Sequence, residues 1–267
     1  DCLAASHHRV AGCSGISGRI KSEWVAGYFR NHWPDDPGIR NPASCARLHA
    51  FLGKFERSYP AGSHIKDETD QSASKYIRLE GWAAMTKSLP EGQTQIIDFR
   101  LPGDFTNLVS ADGHTATIGF EAITDVTMAV VPMKDWAALE KSMPALSLIR
   151  ERSAALIRSR IVERMLRLGR GNGEQRLAYA ILELAVRCGA VQEGRIDCLS
   201  IPLTQQRLGD FMGLTSIHIC RTLRRMIDQG LISKSDHLDI CVLNLGALEA
   251  LAGISVTALK RAIMPPR

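Results

Sequence analysis

The 267-residue sequence has no apolar run approaching the length of a membrane span, no C-x-x-C pair, and no amino-terminal hydrophobic segment of the secretory type. The first absence argues against a transmembrane helix, because a bilayer core needs about 20 consecutive apolar residues. Without the third we expect a cytoplasmic protein. The seven cysteines, Cys2, Cys13, Cys45, Cys188, Cys198, Cys220 and Cys241, are odd in number and scattered. Their spacing signals neither a zinc ribbon nor a disulfide framework, so most are expected to be reduced thiols. A strong excess of one charge is also missing. The 33 Lys and Arg against 28 Asp and Glu leave +5, which is compatible with a nucleic-acid partner without demanding one. Between Tyr59 and Val131 the histidines are His64 and His114 alone. The His-x-His pair with which a cupin-type enzyme holds its metal therefore does not occur there. No catalytic residue and no metal site is expected, and the chain is not read as an enzyme.

What is present divides into segments. The length suits about two domains. Residues 1–42 show no sustained period and are left as an unassigned extension, with His7, His8 and Cys13 read as part of it rather than as a metal cluster. "ASCARLHAFLGKFER" reads as a short helix on Leu48, Phe51, Leu52 and Phe55. Across residues 43–136, Gly81, Gly92 and Gly103 recur every eleven residues between short runs such as "KYIRLE" and "TQIIDFRL". That is the spacing of successive hairpins in a barrel or jelly roll. Residues 137–170 read as a long, arginine-rich helix, most regular from Met143 to Leu168. Its apolar positions Ile149, Leu156, Ile157, Ile161 and Met165 are expected to form a dimer seam, with packing on the helix's own domain as the simpler alternative. "GEQRLAYAILELAVRCG" opens a carboxy-terminal domain over 171–254, and 255–267 is assigned to a tail.

The most informative stretch is "LTQQRLGDFMGLTSIHICRTLRRMIDQGLI", Leu203 to Ile232. Thr204 is a good N-cap, Leu208, Phe211 and Met212 turn inward, and Gly213 ends a first helix. Thr215 caps a second helix, in which Ile219, Leu223, Met226 and Ile227 form an apolar stripe. At 100° per residue Ile217, Arg221, Arg224 and Asp228 face the other way, flanked by His218 and Arg225. Two helices joined by a Gly-containing turn make a helix-turn-helix. "GLISKSDHLDICVLN" then reads as a strand, a polar turn at Lys234 to His237 and a second strand through Ile240 and Val242, the wing of a winged helix. Cys220 beside Arg221 invites a redox reading, against the simpler role of a small surface filler.

A β-roll, a long helix and a winged helix-turn-helix in that order resemble the CRP/FNR superfamily of bacterial transcription regulators, over about Ala43 to Ala252. The stretch from Leu203 to Ile232 is similar to that family's helix-turn-helix nearly throughout, and "LPGDF" at Leu101 to Phe105 resembles its β-roll turn. The resemblance implies an α+β chain: a cyclic-nucleotide-binding-like jelly roll, a dimerisation helix and a DNA-binding domain. It implies a homodimer on double-stranded DNA bearing an inverted repeat, with RNA polymerase as a further partner and no membrane. By position it implies base reading by Ser216, Ile217, His218 and Arg221. Thr204, Thr215, Arg224 and Arg225 are then expected on phosphates.

The departures bear on the effector. Family members that bind cyclic AMP follow the β-roll turn with a Gly-Glu pair and an Arg-Ser/Thr-Ala triplet. Here "TNLVSADGHTATIGF" follows, with His114, Thr115 and Ala116 in place of the triplet. A neutral imidazole cannot replace a bidentate guanidinium. Cyclic AMP is therefore disfavoured, and Asn107, His114 and Thr115 are assigned to a pocket for another effector. Cys2 and Cys13, with ten residues between them and no third cysteine nearby, cannot assemble the four thiolates of an iron-sulfur cluster locally. The expectation is a regulator with no assigned cofactor. The alternative within the fold is a redox- or haem-responsive regulator; a cupin-like enzyme and a non-DNA-binding adaptor are remoter ones.

Overall fold

The computed structural model describes residues 42–264, apart from 71, 102–103, 107–116, 193, 197 and 236–237. Helix α1 (Pro42–Leu52) ends in a 3-10 turn, Gly53–Phe55, and leads into a roll of two antiparallel sheets. One sheet runs in the order β1 (Glu56–Tyr59), β8 (Val126–Pro132), β3 (Ser74–Glu80), β6 (Phe105–Thr106). The other runs β2 (His64–Lys66), β7 (Gly119–Ala122), β4 (Ala83–Ser88), β5 (Thr94–Arg100). The eleven-residue glycine spacing has a physical origin at Gly81 and Gly92, both at positive φ between strands. At Gly81 a Cβ would lie 2.0 Å from the Asp125 carbonyl oxygen, so only glycine fits that close approach.

The long arginine-rich helix expected from Met143 to Leu168 is present as one 26-residue helix, Ala145–Arg170. The 137–170 span differs only in that its first residues belong to a separate preceding helix. Helix α2 (Met133–Ser142) and helix α3 (Ala145–Arg170) flank Pro144, which lacks an N–H and starts a helix far better than it continues one. Leu146 and Ile149 of α3 pack with Leu48, Leu52, Trp136 and Leu139 in a core beneath the first sheet. Ile149 is thus buried in the core of its own chain, which corrects its place among the residues expected at a dimer seam. Leu156, Ile157 and Ile161 are half-buried, and Met165 is exposed.

The carboxy-terminal domain is α4 (Gly173–Arg187), a small ribbon β9 (Val191–Gln192) and β10 (Arg195–Ile196), then β11 (Leu199–Ser200), α5 (Gln205–Met212), α6 (Ser216–Asp228), β12 (Ile232–Lys234), β13 (Asp239–Val242), α7 (Leu245–Ala252) and α8 (Val256–Ile263). The wing expected from sequence is β12 and β13, and β11 joins them as a third strand in the order β11-β13-β12. Two expectations are corrected. The stretch read as a tail is helix α8, capped by Ser255, with Val256, Leu259 and Ile263 buried. Cys198 and Cys241 form a disulfide although 43 residues apart. Only the β11–β13 register, which sets Leu199 against Ile240, brings them together.

Candidate nucleic-acid interface

The helix-turn-helix is built as its sequence dictates. The Thr204 hydroxyl accepts from the Arg207 N–H at 3.2 Å, starting α5. Gly213 closes that helix in the left-handed region, and the Thr215 hydroxyl accepts from the His218 N–H at 3.2 Å to start α6. Gly209 is required by the turn, since a Cβ there would stand 2.4 Å from the Leu214 carbonyl oxygen. Ile219, Leu223 and Met226 are fully or almost fully buried. Ile227 is not: it is 38% exposed, because it stands about 80° round the helix from Ile219.

On the outer face Ile217, His218, Arg221, Arg224, Arg225 and Asp228 are all exposed, and Ser216 is half-buried. Ile217, at 64% exposure, is one of the most solvent-accessible large apolar side chains among the described residues. Burial by a partner would remove an unfavourable exposure. Arg225 is held by Glu174 of α4 at 2.8 Å. The His218 ring lies beside Gly173, where a Cβ would approach its Nε2 to 2.6 Å. The start of α4, secured by a reciprocal Asn172 and Gln175 capping box, therefore borders the outer face of α6. Asn107, His114 and Thr115 lie outside the described residues, as do Cys2 and Cys13.

How this face is oriented was not anticipated from sequence. Helix α5 docks on the β-roll. The Gln95 amide donates to the carbonyls of Asp210 at 2.5 Å and Phe211 at 3.2 Å. The Phe99 and Phe211 rings are 4.6 Å apart. Arg207 is paired with Glu121 of the β-roll. Arg176 donates to Gly171, Met212 and Gly213 carbonyls, tying α4 to the turn.

Below this contact lies a buried charge cluster. Asp98 Oδ1 accepts from Arg187 at 3.0 Å and Arg164 at 3.2 Å, and its Oδ2 from Arg160 at 3.0 Å and Arg100 at 3.1 Å. Glu183 binds Arg164 at 2.5 Å and Arg187 at 3.4 Å, and Asp104 binds Arg187 at 3.0 Å. Burial opposes the charge on Asp98, but the guanidinium groups of Arg160, Arg187, Arg100 and Arg164 outweigh it and hold the carboxyl well below the usual range. Asp104 is lowered against its burial by Arg160, Arg187 and Arg100. Burial pulls Arg100 down to about 10, so it stays charged at neutral pH. The periodicity of α3 pointed to its apolar residues, whereas two of its arginines, Arg160 and Arg164, are buried.

Comparison with known proteins agrees with this construction. Residues 56–142 match the cyclic nucleotide-binding domain and residues 175–251 the Crp-like helix-turn-helix domain. The nitrogen fixation regulation protein FixK of Bradyrhizobium diazoefficiens is 30% identical over 229 residues, 83% of this chain and 94% of that protein. The transcriptional activatory protein AadR of Rhodopseudomonas palustris is 30% identical over 73% of this chain and 82% of its own. The structure of FixK2 from Bradyrhizobium japonicum superposes with a TM-score of 0.63 at 28% identity, covering 73% of this chain and 96% of that one. A CooA mutant from Carboxydothermus hydrogenoformans shares the fold, with a TM-score of 0.66 at 16% identity over 76% and 90% of the two chains.

The chain belongs to the CRP/FNR family. It is a FixK-like DNA-binding transcription regulator built from a cyclic-nucleotide-binding-type β domain, a long helix and a helix-turn-helix domain, in a family of regulators rather than enzymes. No helix among the described residues is long and apolar enough to cross a membrane.

Proposed function

We propose that the chain acts in the cytoplasm as a homodimer that reads an inverted repeat with α6 and regulates transcription through RNA polymerase. The observation that carries the reading is the outer face of α6. Arg221 and Arg224 are exposed and, among the described residues, carry no ion pair, while Ile217 projects beside them. Arg221 pairs bidentately with a guanine, Ile217 gives an apolar contact to a thymine methyl, and Ser216 and His218 reach neighbouring base edges. Thr204, Thr215, Arg224 and Arg225 hold phosphates. Glu174 pre-positions Arg225 for that contact.

Dimerisation is supported by α3. Leu148, Val162, Met165 and Leu166 are exposed large apolar residues, and Leu148, Ala155 and Val162 recur every seven residues, the repeat of a coiled-coil seam. The seam therefore runs through Leu148, Ala155, Val162, Met165 and Leu166 rather than through Ile149. Twofold symmetry would set two reading helices roughly 34 Å apart, one turn of DNA.

The test is selection of an operator from a random DNA library, followed by single-base changes measured at two salt concentrations. Arg221→Ala should cost roughly 1–3 kcal/mol per half-site and relax preference at one base pair. Arg225→Ala should weaken all sequences alike and reduce the salt slope by about one unit. Intact base preference in Arg221→Ala overturns the assigned reading head.

A further inference from the structure

The disulfide between Cys198 and Cys241 sits where it acts on the reading face. Cys241 lies in β13 and pairs across to Ser233 of β12, so it belongs to the wing. Cys198 immediately precedes β11, whose chain runs through Ile201 and Leu203 into Thr204, the cap of α5. The bond thus fastens the wing to the segment that starts the helix-turn-helix. The pairing it reinforces is slight: Leu199 with Ile240, Ser200 with Asp239, and an Ile201 N–H to Leu238 carbonyl bond of 3.2 Å. Leu199 and Ile240 are buried, whereas Cys198 is exposed and Cys241 half-buried. Strand alternation therefore turns both sulfurs outward, within reach of small oxidants and reductants.

We propose that Cys198 and Cys241 form a reversible thiol-disulfide switch that sets how firmly the wing is held against the helix-turn-helix, and that the oxidised form binds DNA more tightly. The inference rests on the DNA-binding reading given above. A hydroperoxide is the oxidant. One cysteine thiolate attacks a peroxide oxygen, the O–O bond breaks, and a sulfenic acid and, for hydrogen peroxide, one water result. The second thiolate attacks the sulfenic sulfur, the S–O bond breaks and a second water leaves. In sum two thiols lose two electrons and two protons, and hydrogen peroxide becomes two waters. Two glutathione molecules reverse the step, leaving as glutathione disulfide. In a reducing compartment an accessible disulfide of this kind responds to conditions rather than staying permanently formed.

Opening the bond leaves the wing and the strand before Thr204 held by their buried side chains and that slight pairing and loosens them, so part of their ordering on DNA must be met from binding energy. The full-length protein is reduced, one portion is treated with hydrogen peroxide, and thiols are blocked with a maleimide before peptide mass spectrometry. Affinity of both portions for the selected operator is read by fluorescence anisotropy. A peptide linked through Cys198 and Cys241 should appear with peroxide and vanish with millimolar glutathione. The reduced protein should bind roughly three- to tenfold more weakly and melt roughly 5 °C or more lower. Cys198→Ser and Cys241→Ser should each bind like the reduced protein under both treatments. Failure to form the linked peptide, resistance of the bond to glutathione, equal affinity of the two portions, or a redox response that persists in both variants overturns the switch alone. Absence of DNA binding from both portions overturns the DNA-binding reading and the switch with it.

Discussion

Replacing Asp98 by Asn preserves the shape of the side chain and removes the one negative charge that touches Arg100, Arg160, Arg164 and Arg187. Asp104 and Glu183 then face four guanidinium groups with no route to solvent for most of them. Removing one partner of a buried ion pair costs roughly 3–5 kcal/mol, because the other is left uncompensated. The amide carbonyl still accepts from one pair of guanidinium groups, but the amide NH2 faces the other pair donor to donor, so the expected loss is about 3 kcal/mol or more. That is a large part of the stability of an ordinary domain. Urea unfolding followed by circular dichroism and by tryptophan fluorescence measures it. Asp98 joins β5, α3 and α4, so the variant should also split one transition into two, as the β-roll and the winged domain lose their common hub. Adding Arg100→Met should recover part of the loss, since an apolar replacement carries no charge to compensate. The pH dependence has a definite sign. The folded-state pKa values of Asp98 and Asp104 are depressed, so their stabilisation is full above the ordinary carboxylate value near 4 and is lost as the pH falls below it. Asp98→Asn should flatten that acid limb. A loss below about 1 kcal/mol with a single transition and an unchanged acid limb would refute the reasoning.

Four further substitutions test the dimer seam, the core of the first sheet and the turn of the helix-turn-helix. Val162→Asp and Leu166→Asp should yield folded monomers by light scattering that bind the operator weakly, whereas Ile149→Asp, in its own subunit's core, should destabilise the fold itself by roughly 3 kcal/mol or more. Gly209→Val should disrupt the helix-turn-helix and lower the melting temperature, because its Cβ meets the Leu214 carbonyl; an unaltered melting curve and DNA affinity would contradict the packing described.

The helix-turn-helix was more legible in the sequence than the parts that orient it, and for a physical reason. Thr204, Gly213 and Thr215 are local signals, each determined by backbone geometry within a few residues, and the strands around Gly81 and Gly92 follow from turn chemistry. The stripe Ile219, Leu223, Met226 follows from helical periodicity. Asp98, Glu183 and Arg187 carry no such signal. A charged residue in a strand or helix is ordinarily solvated, and only the tertiary arrangement shows that these are enclosed. Cys198 and Cys241 were illegible for the same reason, since strand register rather than spacing pairs them. Pro144 and Ser255 are local signals as well: the first marks the start of the long helix and the second caps a helix in a terminal segment too short to show a clear period.

The Asp98 cluster also limits how freely the chain can be recombined. Its acceptors and donors are divided among β5, α3, α4 and the turn bearing Asp104, so no single segment is electrically complete in its interior. A hybrid that joined this β-roll to a winged domain lacking Arg187 would bury Asp98 with one guanidinium fewer, and one lacking Glu183 would leave Arg164 without its closest carboxylate. The winged fragment alone would expose Phe211 and the inner ends of Glu183 and Arg187 to water. The β-roll and the winged domain are therefore electrically complementary halves, and exchanging one without the other would leave buried charge uncompensated.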